Sequence, residues 1–162
     1  MSDVREGGCL CGSLRYHAKG APRRVTACHC TFCQRRTGGG SSVHVWYDKG
    51  NVEIKGNEIS HYQHKSDERG RWLALHFCQK CATTIMLTIE RMPDVYLITG
   101  GTLDEPSSVE IEVHTWMRSS PPWMALPVQG ECFQTSSGAG VRTIGSDRRV
   151  SPKTLRYLPP LA

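Results

Sequence analysis

Seven cysteines fall in three tight groups: Cys9-Leu10-Cys11, Cys28-His29-Cys30-Thr31-Phe32-Cys33 and Cys78-Gln79-Lys80-Cys81, with Cys132 apart. Cysteines at such spacing are metal ligands or redox thiols. A Cys-x-x-Cys turn presents two thiolates to one ion. A Cys-x-Cys pair on an extended segment does the same, because alternate strand side chains share a face. Seven ligands divide into four plus three. Cys9, Cys11, Cys78 and Cys81 would make a closed tetrahedral site of the structural kind. Cys28, Cys30 and Cys33 would leave a fourth position for an exchangeable ligand, as in catalytic zinc sites. Three thiolates make a soft, net-negative site that suits a substrate thiol, which metal binding deprotonates. Two alternatives stay open. His29, His76, His114 or Cys132 would close the second site, or the middle group would share its metal with Cys78 and Cys81.

The elements that must position these residues read as β-strands. "SVHVWY", "NVEIKG", "EISHYQH", "RWLALHF", "TIMLTIE", "DVYLITG" and "SVEIEVHTW" alternate in period two between Gly, Asn and Asp turn signals. Seven or eight strands are expected in a mainly β, antiparallel domain, with a short helical turn within Cys30–Arg36.

The chain has 162 residues, 38% hydrophobic and 22% charged, which suits one domain with a sizeable core. No apolar run reaches the ~20 residues of a membrane helix. "MSDVREGGCL" has no apolar signal region, so the expected place is the cytoplasm, where thiols stay reduced and disulfides are disfavoured. Net charge is +5. In residues 134–162, Arg142, Arg148, Arg149, Lys153 and Arg156 stand against Asp147, a net +4 that leaves +1 for residues 1–133. A near-neutral body argues against nucleic acid as the main partner. Residues 1–133 are read as the zinc-binding domain. Residues 134–162, rich in Ser, Gly and Arg, are read as a polar basic tail dispensable for metal binding and catalysis.

"GGCLCGSLRY", "CHCTFCQRRTGG", "FCQKCA" and "HTWMRSSPPW", in that order, resemble the glutathione-dependent formaldehyde-activating enzyme family, which includes centromere protein V. The resemblance covers roughly residues 5 to 133. It implies the Mss4-like fold of coiled β-sheets and two zinc ions per chain. Cys9, Cys11, Cys78 and Cys81 match the structural ligands, and Cys28, Cys30 and Cys33 the catalytic ones. It also implies a carbon–sulfur lyase whose small-molecule partner is a thiol, glutathione or its adduct, with formaldehyde or a related small electrophile. The rival reading is a non-enzymatic zinc module that binds protein or nucleic acid; a redox thiol protein is a third. Two positions depart from the family pattern. Ala82 stands where Gly is usual, and Gln34 stands where Arg is usual, followed by Arg35 and Arg36. Ala resists the positive φ that Gly accepts, so a changed turn is expected behind the first metal site. Arg35 and Arg36 have either a solvated or a carboxylate-binding role. Trp46, Trp72, Trp116 and Trp123 are expected in the core or a pocket wall. Lys80 is expected to offset the charge of the four-cysteine site. His29, His44 and His114 are the candidate general bases.

Overall fold

The computed structural model describes residues 3–66, 70–125 and 130–136. Among these residues eleven strands, one short α-helix and four single 3-10 turns are formed. The strands and the α-helix are β1 (Val4–Gly8), β2 (Arg15–Lys19), β3 (Arg24–Cys28), α1 (Thr31–Thr37), β4 (Ser42–Asp48), β5 (Val52–Lys55), β6 (Ile59–Lys65), β7 (Trp72–Cys78), β8 (Thr84–Ile89), β9 (Met92–Thr99), β10 (Val113–Thr115) and β11 (Glu131–Cys132). A three-stranded sheet has the order β1-β2-β5. An eight-stranded sheet has the order β11-β10-β3-β4-β9-β8-β7-β6. The fold is mainly β, as expected. Pairing is antiparallel except at β10, which runs parallel to both β3 and β11. "SVEIEVHTW" forms a strand only over Val113–Thr115.

The alternation in β4 separates two faces. Val43, Val45 and Tyr47 join a core shared with Leu14, Tyr16, Ala18 and Ile54 of the small-sheet region, so the small sheet packs on this face of the large one. Ser42, His44 and Trp46 point the other way, because strand side chains alternate. On β8 and β9, Leu87, Val95 and Leu97 form a second cluster with Trp46, Leu73 and Ile89. The large sheet therefore has apolar side chains on both faces, and only one is covered by the small sheet.

Close approach between β1, β2 and the turn after β9 is specific. A Cβ on Gly7 would lie 2.2 Å from the Tyr16 hydroxyl. That hydroxyl bonds Thr102 Oγ1 at 2.9 Å. Burial of the Tyr16 ring pushes its phenol up to about 12. Among the described residues no helix is long and apolar enough to cross a membrane.

Candidate functional site

The first cysteine group joins the two sheets. Cys9 and Cys11 follow β1, and Cys78 ends β7 before the turn to Cys81. All four sulfurs lie within 4.8 Å of one another. Cys9 Sγ to Cys11 Sγ is 3.5 Å and Cys11 Sγ to Cys78 Sγ is 3.7 Å. The edge of a tetrahedron with metal–sulfur bonds near 2.3 Å is about 3.8 Å, so the four sulfurs fit one ion. The surroundings favour the thiolate at Cys11 and Cys81 and oppose it at Cys78, whose thiol burial pushes up to about 11. The Leu14 backbone N–H donates to Cys9 Sγ at 3.2 Å. Hydrogen bonds with Thr83 hold the Cys81 thiol down at about 5, and contact with Ser13 lowers Cys11.

Ala82 reports on the turn behind this group. Its φ is +58°, and its N–H donates to the Cys78 carbonyl at 2.9 Å. The expected change of turn is not taken; Ala adopts the left-handed conformation itself, at a steric cost of about 1–2 kcal/mol. Lys80 Nζ pairs with Glu58 Oε1 at 3.0 Å.

The second group is built from a strand end and a helix start. Cys28 ends β3, Cys30 is the N-cap of α1 with Sγ accepting from Cys33 N–H at 3.4 Å, and Cys33 is buried in the first turn. Gln34, the departure from Arg, donates from Nε2 to the carbonyls of His29 and Ser119, both at 2.7 Å. It thus ties α1 to the chain after β10. The three sulfurs lie within 4.8 Å of one another, and no fourth Cys, His, Asp or Glu atom joins that set among the described residues. Hydrogen bonds from Cys28 and Cys33 hold the Cys30 thiol well below its ordinary value, and the same bonds push Cys28 and Cys33 up. The half-buried Arg36 lies beside the three sulfurs and bonds Ser42 Oγ; Arg35 is exposed.

The histidines sort themselves. His29 is fully buried, with Nε2 3.1 Å from His114 Nδ1. His76 Nε2 contacts Thr88 Oγ1 at 3.0 Å. The Cys132 thiol faces the Gly130 carbonyl at 3.8 Å. None of these four, named as possible fourth ligands, joins the three cysteines. His44 is different. It is 3% exposed, neither ring nitrogen has a hydrogen-bond partner, and it lines the same cavity as the three cysteines. Burial, with the Arg36 charge nearby, pushes its imidazole down to about 3, so the ring is neutral at ordinary pH.

That cavity has a volume of about 300 Å³. Cys28, Cys30 and Cys33 line one part of it. Trp46, Leu97, Leu87, Ile89 and Leu73 line another, on the sheet face away from the small sheet, and Phe32, His64 and Trp116 also line it. Trp46 is fixed by its Nε1 donating to Thr26 Oγ1 at 2.9 Å. Phe32 of α1 stacks on His64 of β6, centroids 4.6 Å apart. Trp116 has φ +61°, a rare conformation for a bulky residue. A second depression of about 170 Å³ shares Ser66, Leu73, Ile89, Arg91, Trp116 and Ser136 with the first and adds Arg71, Trp72 and Glu90. Arg71 and Arg91 are exposed.

Of the tryptophans, Trp46 and Trp116 are wall residues, as expected. Trp72 is 43% and Trp123 72% exposed. Sequence reasoning did not single out Phe32, His64, Leu73, Leu87, Ile89, Arg91 or Leu97. The available signal was "TIMLTIE", where apolar residues at both parities mean a strand covered on both faces. Gln134 and Thr135, assigned to the tail, hand carbonyls to Arg118 N–H at 3.4 Å and Trp116 N–H at 3.0 Å. Residues 137–162, the rest of that tail, lie outside the described residues.

A β domain with a four-sulfur cluster, a three-sulfur cluster and a chamber beside the latter is a class that sequence comparison resolves further. The profile of the glutathione-dependent formaldehyde-activating enzyme family matches residues 4–119, and the chain belongs to that family. A Halomonas elongata protein with the provisional name glutathione-dependent formaldehyde-activating enzyme is 27% identical over 135 residues, 79% of this chain and 85% of the relative. A crystal structure of a Rhodobacter sphaeroides protein superposes with a TM-score of 0.51 at 17% identity, covering 65% of this chain and 96% of that one; this likeness concerns the fold alone.

Proposed function

We propose that the protein is a zinc-dependent carbon–sulfur lyase that makes and breaks the bond between glutathione and a carbonyl compound. The observation that carries this reading is the three-cysteine cluster, which no fourth Cys, His, Asp or Glu atom joins among the described residues and which lines a cavity of about 300 Å³. Zinc held by Cys28, Cys30 and Cys33 supplies a Lewis acid that favours the thiolate form of a substrate thiol. A second zinc at Cys9, Cys11, Cys78 and Cys81 is structural.

The chain's own groups supply the rest. Arg36 offsets the charge of the three sulfurs. Neutral His44 has one ring N–H to donate and one ring nitrogen to accept with. It is placed to hydrogen-bond the carbonyl oxygen that becomes a hydroxyl on addition. Arg71 and Arg91 border the depression continuous with the chamber, where glutathione's two carboxylates find cationic donors. The apolar wall excludes water, which strengthens each of these interactions.

The test is exchange of carbonyl label between aldehyde and its glutathione adduct in zinc-loaded protein. Wild type is expected to accelerate exchange and Cys30→Ser to lose the acceleration while keeping one zinc. A Cys30→Ser protein as active as wild type refutes the reading.

A further inference from the structure

We propose that the carbonyl substrate carries a bulky apolar chain or an aromatic ring, which occupies the wall formed by Trp46, Leu97, Leu87, Ile89 and Leu73. The proposal rests on the glutathione reading above and specifies its substrate class.

The wall is continuous by strand register. Trp46 on β4 is paired with Leu97 on β9. Leu97 is paired with Leu87 on β8. Ile89, two residues on and on the same face, is paired with Leu73 on β7. Four adjacent strands thus present one apolar stripe, about 14 Å across at ordinary strand spacing. Phe32, from the cysteine-bearing helix, lines the same cavity, with His64 stacked on its ring. A hydroxymethyl group is far too small to cover such a stripe. Glutathione does not suit it either, since two carboxylates, an ammonium group and two amides against Leu and Ile would lose their hydrogen bonds. The arginines gather at the Ile89–Leu73 end of the stripe: Arg91 lines both the chamber and the adjoining depression, and Arg71 lines the depression. The division of chemistry is polar peptide outside, apolar substituent inside, sulfur at the cysteines.

The bond change balances without a co-reactant. The glutathione sulfur adds to the aldehyde carbon and a C–S bond forms. The carbonyl π pair moves to oxygen, which takes the proton released by the thiol. The reverse step returns aldehyde and thiol. A medium-chain or aromatic aldehyde is the reactant this geometry selects.

S-Methyl-, S-butyl- and S-hexylglutathione are stable probes, titrated into the zinc-loaded full chain by calorimetry and by quenching of tryptophan fluorescence. Affinity is expected to rise about fourfold per buried methylene. Leu97→Ala and Leu87→Ala, which line the chamber but not the depression assigned to glutathione, are expected to cut that gain while leaving glutathione's own affinity within about twofold. The wild-type chain-length series reads the proposal even if a variant fails to fold. If glutathione binds but the three thioethers bind equally, the apolar-substrate proposal is overturned and the glutathione reading stands. If glutathione does not bind and hexanethiol still binds more tightly than ethanethiol, the chamber's preference stands and the glutathione reading falls. Absence of binding by every probe overturns both.

Discussion

Replacing Cys78 by serine tests what the four-cysteine site does for the fold. Cys78 is fully buried, and its sulfur lies 3.7 Å from that of Cys11, 67 positions earlier. An ion bridging the two closes a loop of that length. Chain-entropy arithmetic for a cross-link of this span gives about 4 kcal/mol of stabilisation. Losing one ligand also leaves three neighbouring thiols with no ion to neutralise them, which adds to the cost. Domains of this size hold about 5–15 kcal/mol in total. Cys78→Ser is therefore expected to lose at least about 4 kcal/mol, a quarter or more of the total, and to unfold at a much lower urea concentration than wild type. Urea titration followed by far-UV circular dichroism measures this, alongside zinc content. Cys30→Ser is the control: its loss is expected to be small, because the second cluster spans only Cys28 to Cys33. A Cys78→Ser protein with the wild-type urea midpoint and two zinc ions would refute the reasoning.

Ala82→Gly relieves a left-handed backbone at φ +58°, partly offset by the freer unfolded chain; a gain of about 0.5–1 kcal/mol in thermal unfolding is expected, and a loss would show that the turn is unstrained. His44 has its imidazole pushed down to about 3 by burial, below its ordinary value near 6.5. The unfolded chain then binds the extra proton first, so stability is intact above pH 6.5 and falls as pH drops toward 3. By pH 5 this loss is about 2 kcal/mol, and His44→Gln is expected to lack that share; identical pH profiles for the two proteins count against it. Arg71→Ala and Arg91→Ala are each expected to raise KM for glutathione about fivefold with kcat nearly unchanged, whereas a fall in kcat alone would place these arginines elsewhere in the reaction. Mild chelation is expected to remove one zinc and leave the circular dichroism spectrum intact; loss of fold in step with the first ion contradicts the division into two kinds of site.

The parts of the molecule written in local sequence were legible. Period-two runs gave β4 to β9 and the end of one run gave β10, whereas β1, β2, β3 and β11 lie outside them and raise the count above the seven or eight expected; Cys30–Arg36 gave the helical turn now seen as Thr31–Thr37. Cysteine spacing gave the two groups, because Cys-x-Cys and Cys-x-x-Cys are local geometry. The chamber was not legible, since its wall depends on the order β4-β9-β8-β7, and strand order is a long-range choice. The parallel seat of β10 against β3 rests on three residues, too few for any periodic signal. Gln34 carried no visible role until Ser119, 85 positions away, was found to accept its hydrogen bond. At Ala82 the residue type argued for a different turn, but the site formed around that turn outweighs one strained residue. His44 was one of three histidines in the sequence reading; its unpartnered ring and its place in the cavity wall, beside the pairing of His29 with His114, set it apart.

The central claim is that one zinc keeps a position for a substrate thiol. Zinc K-edge X-ray absorption on the two-zinc protein, with and without glutathione, tests it most directly. Four sulfurs on one ion and three on the other average to about 3.5 sulfurs per zinc at rest, with a light-atom ligand making up the remainder. Addition of glutathione is expected to raise the average to about 4 and remove the light-atom shell. An average of four sulfurs per zinc before glutathione is added, unchanged afterwards, would contradict the claim.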